Sequence, residues 1–342
     1  NVIVRLDGDA TDARVAALQA AVGPFSVGRL LDLVDGFSAT VTKQQVAALR
    51  TTAGVRSIEE NGVVRVLNTP GNTDFGVTKA RTDVPALDGN GDGAATYSSS
   101  DLVAAVIDTG IDATHNDLNG GKVLAFVDCT APTAGTCTSK TPYDDHYHGT
   151  HVAATIAGTG AGSGEPGVAP GAALVGIKVL DSTGSGTDAE VIAGVQWAID
   201  NKATYGIRVI SMSLSDSGCS DGTDALSSAV NNAVTAGLVA SVAAGNSGTS
   251  GSCTIASPSA AASAITVGAL ADTSTGGFAL AQFSGRGPTF DGRIKPDITA
   301  PGVSVYSAKA CARVIADGGV SCTHNEILGL NGTSMATPFV AG

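Results

Sequence analysis

Three apolar runs, Leu102 to Ile107, Val209 to Leu214 and Leu238 to Val242, interleave with helical patterns over Thr187 to Tyr205 and Thr223 to Ala236. A strand that is apolar on both faces must be covered on both, and such strands alternate with helices in mostly parallel sheets. The expected fold is therefore α/β, a mostly parallel sheet flanked by helices. Thr187-Asp188-Ala189-Glu190 is a capping box that opens the first of these helices, and Gly206 and Gly237 are natural stops. With 342 residues, 43% of them hydrophobic, one large core and a small second domain can be buried. No repeat and no apolar run of about 18 residues occurs, so no membrane span is expected.

The first apolar run breaks off in Asp108-Thr109-Gly110-Ile111-Asp112, which puts a carboxylate at the edge of an open sheet, where ligands bind. Asp145-His146-Tyr147-His148-Gly149-Thr150-His151 then offers histidines at the start of a helix of small residues, with His148 the candidate base. In Gly332-Thr333-Ser334-Met335-Ala336-Thr337-Pro338 a serine sits among small residues at a helix start, and Pro338 reads as a first-turn residue. A helix N-terminus favours the negative charge that develops in acyl transfer. Each segment alone would be a cap or a turn. Their order, acid then histidine then serine, differs from the orders of chymotrypsin-like enzymes and of α/β-hydrolases.

Together the three segments resemble, in order, those of the subtilisin-like serine proteases across residues 101–342. The resemblance implies a subtilisin-like fold and a serine endopeptidase acting through an Asp-His-Ser triad and an acyl-enzyme. Asp108 would be the buried carboxylate, His148 the general base and acid, and Ser334 the nucleophile. His151 reads as a packing residue and His146 as loop. Asn246, in Ala243-Ala244-Gly245-Asn246-Ser247-Gly248, matches the family's oxyanion asparagine. Thr183-Gly184-Ser185-Gly186 and the run Val209 to Leu214 match the segments that hold an extended peptide as an added strand. The specificity pocket would then be lined by Ser213, Leu214, Ser215, Ala243, Ala244 and Gly245. Where the family commonly has two glycines this chain has Ser215 and Asp216, which leaves the pocket's width and charge open.

The first 67 residues form a different pattern: strand, helix, strand, strand, helix, strand, as in a small α+β ferredoxin-like domain. Val15, Leu18 and Val22 share one face of the first helix, and Thr42-Lys43-Gln44-Gln45 caps the second. By the resemblance this is an inhibitory propeptide that also assists folding, an expected need for a parallel sheet with many non-local contacts. Its tail would lie in the active site, with maturation between Leu67 and Asn68, so the precursor inhibits itself. A secreted monomer is expected, its signal peptide already removed. Residues 68–100 link this domain to the catalytic domain at 101–342, and the family's usual continuation beyond Gly342 is expected to be missing here.

Asp88-Gly89-Asn90-Gly91-Asp92-Gly93 copies the first half of a calcium loop, giving Asp88, Asn90 and Asp92 as candidate ligands, but position twelve is Ser99. Asp117 matches a ligand of the family's tight calcium site, whose partner loop lacks its asparagine over Gly160 to Glu165. Structural calcium is thus a candidate, and catalysis is expected to need no cofactor. The six cysteines point to an oxidising compartment. Cys129 with Cys137 and Cys311 with Cys322 would close short loops, while Cys219 with Cys253 would brace the pocket. A formal net charge of -12 argues against nucleic acid as a partner and leaves protein or peptide substrates. Two further readings stand beside this one. His146, His148 and His151 have the His-x-His-x-x-His spacing of zinc metallohydrolases, which would leave Ser334, Asp108 and Asn246 unexplained. The other is a catalytically silent binding protein, weakened by four filled catalytic positions.

Overall fold

The computed structural model describes residues 2–31, 35–60, 76–83, 96–130, 137–272, 277–319 and 321–342. The chain divides into two compact units, Asn1–Val66 and Leu67–Gly342. The proposed Leu67-Asn68 cut and the Asp88, Asn90, Asp92 loop lie outside the described residues.

In the first unit β1 (Val2–Leu6) leads to α1 (Asp12–Val22), β2 (Ser26–Leu31), β3 (Gly36–Thr40), α2 (Lys43–Leu49) and β4 (Val55–Glu60). The sheet order is β2-β3-β1-β4, and every pairing is antiparallel. β1 is interior, with Val4 opposite Phe37 on one side and Ile58 on the other. Gly36 is required there, since a Cβ would stand 2.7 Å from the Val4 carbonyl oxygen. Val4, Leu6, Val15, Leu18, Phe37 and Leu49 fill the core beneath the helices. The Thr42–Gln45 capping box forms as read, satisfying two orphan donors at the start of α2.

In the second unit α3 (Val77–Asp83) precedes β5 (Val103–Asp108), β6 (Val123–Asp128), β7 (Thr138–Ser139) and α4 (His148–Ala157). Next come β8 (Ala173–Lys178), α5 (Asp188–Tyr205), β9 (Ile207–Met212), α6 (Ala225–Thr235), β10 (Val239–Ala243) and β11 (Ile265–Asp272). The last elements are β12 (Phe278–Leu280), β13 (Ile298–Pro301), β14 (Val305–Ala308), α7 (Cys311–Ala316), β15 (Ile327–Leu330) and α8 (Thr333–Ala341). The main sheet runs β12-β11-β10-β9-β5-β8-β6-β7, with β13 beside β11, and β14 and β15 form a separate hairpin. Its interior pairings are parallel, while the edge strands β7 and β12 run antiparallel.

The two-residue period of β5 divides the core in two. Val103, Ala105 and Ile107 join Val175, Ile177, Met212 and Val242 under residues of α5 and α6 such as Val195 and Val230. Ala104 and Val106 join Leu174 under Val152 and Ile156 of α4 and Met335 of α8. The buried run begins one residue later than the apolar pattern suggests, because Leu102 is 57% exposed. Helix α6 is capped by Asp224, whose side chain accepts the Ser227 N–H, so Thr223 stays outside it. Asp108, Lys178, Met212 and Ala243 end β5, β8, β9 and β10, and the segments that follow them gather along one edge of the sheet.

Candidate active site

Asp108, the last residue of β5, is fully buried and accepts hydrogen bonds at one carboxylate oxygen from the Thr109 N–H at 2.7 Å and from His148 Nδ1 at 2.8 Å. A buried carboxylate can only accept here, so the proton sits on Nδ1 and Nε2 is left as the basic nitrogen. Burial by itself would lower the His148 pKa. The charge and hydrogen bond of Asp108, with the charge of Asp144, outweigh it and hold the value above the ordinary one. The β5 edge is pinned from its other side by buried Lys178, whose ammonium donates to the carbonyls of Thr109 and Leu180 and to Asp145.

His148 opens α4, yet the N-cap residue Tyr147 provides no side-chain cap. The cap comes from elsewhere: the Gly149 N–H donates to Thr109 Oγ1 and the Thr150 N–H to Asp144. His146, read as loop, stacks on Tyr147 and lines the cleft in front of His148. His151, one turn further, is buried, and its Nε2 lies 3.1 Å from the Val305 carbonyl oxygen and 3.0 Å from that of Leu328. Two acceptors at one nitrogen require an N–H there. Burial and the neighbouring His148 push the His151 pKa down to about 4, so this ring is a neutral donor, not a free ligand. That overturns the zinc reading: the three histidines do not converge, and no metal-holding group among the described residues contains them.

Ser334 is the second residue of α8. Its Oγ donates to the Ser213 carbonyl oxygen at 3.0 Å, while Ser213 Oγ donates to the Ser334 carbonyl oxygen at 2.8 Å. The second bond follows from Pro338, which stands in the second turn of α8 rather than the first. Proline has no N–H to give the residue four before it, and that residue is Ser334, so Ser213 satisfies the carbonyl that Pro338 leaves open. Asn246 Oδ1 accepts from both the N–H and the Oγ1 of Thr333. A backbone N–H cannot reverse, so this fixes which end of the amide is oxygen and turns Nδ2 outward as a donor.

A cleft of about 400 Å³ runs past Thr109, His146 and His148, between Gly184-Ser185-Gly186 and Ser213-Leu214-Ser215-Asp216. The two predicted peptide-holding segments thus face each other across one space. Leu180, Val191 and Leu226 also line it, and nothing in the local motifs singles them out; Asp188, read only as part of a capping box, lines it too. Of the remaining pocket candidates, Ala243 and Ala244 are buried outside this cleft, while a Cβ on Gly245 would meet Ser215 Oγ at 3.3 Å. Partial burial and the charges of Asp188 and Asp224 raise the Asp216 pKa.

Asp117 does not fit a calcium ion as the sequence suggested. Its carboxylate is 1% exposed and accepts the N–H groups of Gly162 at 2.6 Å and Ser163 at 3.2 Å, so amide donors occupy the space in front of its oxygens. Loop 160–165 is closed by hydrogen bonds. All three expected disulfides form, Cys129–Cys137, Cys219–Cys253 and Cys311–Cys322. No helix among the described residues is long and apolar enough to cross a membrane.

The sequence profile of the subtilase family matches residues 99–342. The chain is 42% identical to the serine protease AprX of Bacillus subtilis (strain 168) over 72% of its length, a match spanning 57% of that protein. It is 37% identical to subtilisin E of the same organism over 90% of this chain and 69% of that protein. Among solved structures, the S41 psychrophilic protease superposes with a TM-score of 0.59 at 34% identity, covering 75% of this chain and 80% of that one. On profile, identity and fold alike, the chain belongs to the subtilase family.

Proposed function

We propose that this protein is a secreted serine endopeptidase in which Ser334 attacks the scissile carbonyl and His148 takes its proton. Supporting this reading above all is the 2.8 Å bond between Asp108 and His148 Nδ1, which orients the imidazole and stabilises the imidazolium formed as the serine attacks. In the reaction the Ser334 hydroxyl leaves its bond to the Ser213 carbonyl and gives its proton to His148 Nε2. Its oxygen bonds to the carbonyl carbon. Asn246 Nδ2 and the Ser334 N–H, which lies too early in α8 for an intrahelical acceptor, donate to the oxyanion. His148 then protonates the leaving amine, and water reverses the steps to release the acid. An extended substrate would add between Gly184-Ser185-Gly186 and Ser213-Leu214-Ser215, recognised chiefly by its backbone.

The unit 1–66 is read as a ferredoxin-like inhibitory propeptide, a reading supported by its strand order β4-β1-β3-β2 and its place before the catalytic unit. Cleavage at Leu67-Asn68 would release it. Asp88, Asn90 and Asp92 remain the candidate structural calcium ligands. A fluorophosphonate probe followed by peptide mapping tests the central claim: label on Ser334, absent from His148→Ala, is the expected result. A protein that hydrolyses peptides without labelling at Ser334 would overturn it.

A further inference from the structure

Asp144 stands in no motif and would touch neither substrate nor reacting atoms, yet its carboxylate ties together the two elements that bring Asp108 and His148 into contact. It is 4% exposed and accepts four hydrogen bonds. One oxygen takes Thr109 Oγ1 at 3.0 Å and the His146 N–H at 3.0 Å. The other takes the Thr150 N–H at 2.9 Å and Thr150 Oγ1 at 2.6 Å. Both hydroxyls are relays: Thr109 Oγ1 accepts the Gly149 N–H and Thr150 Oγ1 accepts the Asp112 N–H, each at 2.9 Å. The end of β5 and the first turn of α4 are therefore joined through one side chain.

The joint also holds a conformation that would otherwise relax. Tyr147, between His146 and His148, has φ 152°, a region that favours glycine. Its ring is fixed by the stacked His146 ring at 4.1 Å and by the Arg313 guanidinium at 4.7 Å, and its backbone by the bonds that Asp144 makes on either side. Asparagine could not take the place of this acid. Its NH₂ would have to face either the His146 N–H or the Thr150 N–H, and neither backbone donor can turn round.

We propose that Asp144 is a positioning residue for the reaction described above: it seats His148 against Asp108, and its charge adds to that of Asp108 in holding the imidazolium. This rests on the proposed triad. The titratable and charged groups facing His148 are Asp108 from β5, Asp144 and His146 from the preceding loop, and His151 from α4. Lys178, beside Asp108 in register, is engaged by Asp145.

The test is the pH profile of peptide hydrolysis by the full chain. Asp144→Asn lowers kcat by about 10- to 100-fold while KM stays within about twofold, as expected for a displaced general base. It also moves the acid inflection of kcat/KM to lower pH, because a charge that favoured the protonated ring is gone. If Asp144→Asn does not fold, Thr109→Val cuts the same joint, and Thr109→Ser, which restores the hydroxyl, recovers the lost kcat. Wild-type kcat and inflection in the Asp144→Asn or Thr109→Val protein, with only thermal stability reduced, overturns the positioning role. His148→Ala separates the two claims. If it is inactive while those variants behave as wild type, this inference alone falls; if it is fully active, the triad reading falls and takes this inference with it.

Discussion

The starts of α4 and α8 carry the two residues that would exchange a proton, and they are finished in opposite ways. Neither has a side-chain cap from its own N-cap residue, Tyr147 in one and Gly332 in the other. At α4 the orphan N–H groups are satisfied by Thr109 and by the buried carboxylate of Asp144, so the positive end of that helix already faces an anion. At α8 one N–H is satisfied by the neutral amide of Asn246, and among the described residues no carboxylate accepts from the first-turn N–H groups. The difference is chemical. A base that must become a cation benefits from fixed negative charge, whereas a nucleophile whose partner becomes an oxyanion benefits from a positive helix end left uncompensated.

The largest effect that breaks this contrast comes from Asn246. In subtilisin, a relative of this chain, losing the oxyanion asparagine costs about 10² to 10³ in kcat, and Asn246→Ala is expected to lose as much. Asn246→Asp should be at least as inactive, because it removes the Nδ2 donor and also sets a negative charge at the positive end of α8. Steady-state kinetics on one peptide substrate decide it; an aspartate variant much faster than the alanine variant would mean that the bare N-terminus of α8 has no electrostatic role.

A second measurement sharpens the α4 side. His148 and His151 lie three residues apart on one helix and are shifted oppositely, His148 upward by Asp108 and His151 down to about 4 by burial. The stability linked to His148 is present below the ordinary histidine value and fades as pH rises through its raised folded value. That linked to His151 is present above about 6.5 and is lost as pH falls towards 4. The shift to about 4 corresponds to about 3 kcal/mol lost over that interval. His151→Gln keeps an N–H for the Val305 and Leu328 carbonyls but does not titrate. Urea unfolding in a Ser334→Ala background, where self-digestion is absent, should show a curve flatter by that amount between pH 6.5 and 4; parallel curves would mean His151 is not held neutral.

These details show where sequence reading stops. Asp108, His148 and Asn246 were legible because each follows an apolar strand or opens a helix of small residues, so position along the chain placed them at one sheet edge. That Gly184-Ser185-Gly186 and Ser213-Leu214-Ser215 line one cleft was legible for the same reason. Asp144 was not, because a carboxylate four residues before a histidine looks like any loop acid until the N–H groups it faces are known. Nor was the fate of Asp117, whose identity suits a cation but whose oxygens meet the amides of Gly162 and Ser163. Pro338 reads one turn too early because the N-cap Gly332 has no side chain to cap α8 and so gives no mark of where the helix begins.

The smallest predicted effect concerns that proline. Ser213 Oγ is needed at the Ser334 carbonyl only because Pro338 brings no N–H, so the two residues should be energetically coupled. Ser213→Ala leaves the partly buried Ser334 carbonyl without its partner and should cost about 1 kcal/mol. In a Pro338→Ala background an N–H is restored at the right place in the helix, and the same serine change should cost about 1 kcal/mol less. A double-mutant cycle on unfolding free energy measures the difference. Additive costs would show that the clasp between Ser213 and Ser334 does not depend on the proline. A coupled cycle would show that the α8 start is held by a bond from Ser213, the residue after β9, where the α4 start is held by a charge.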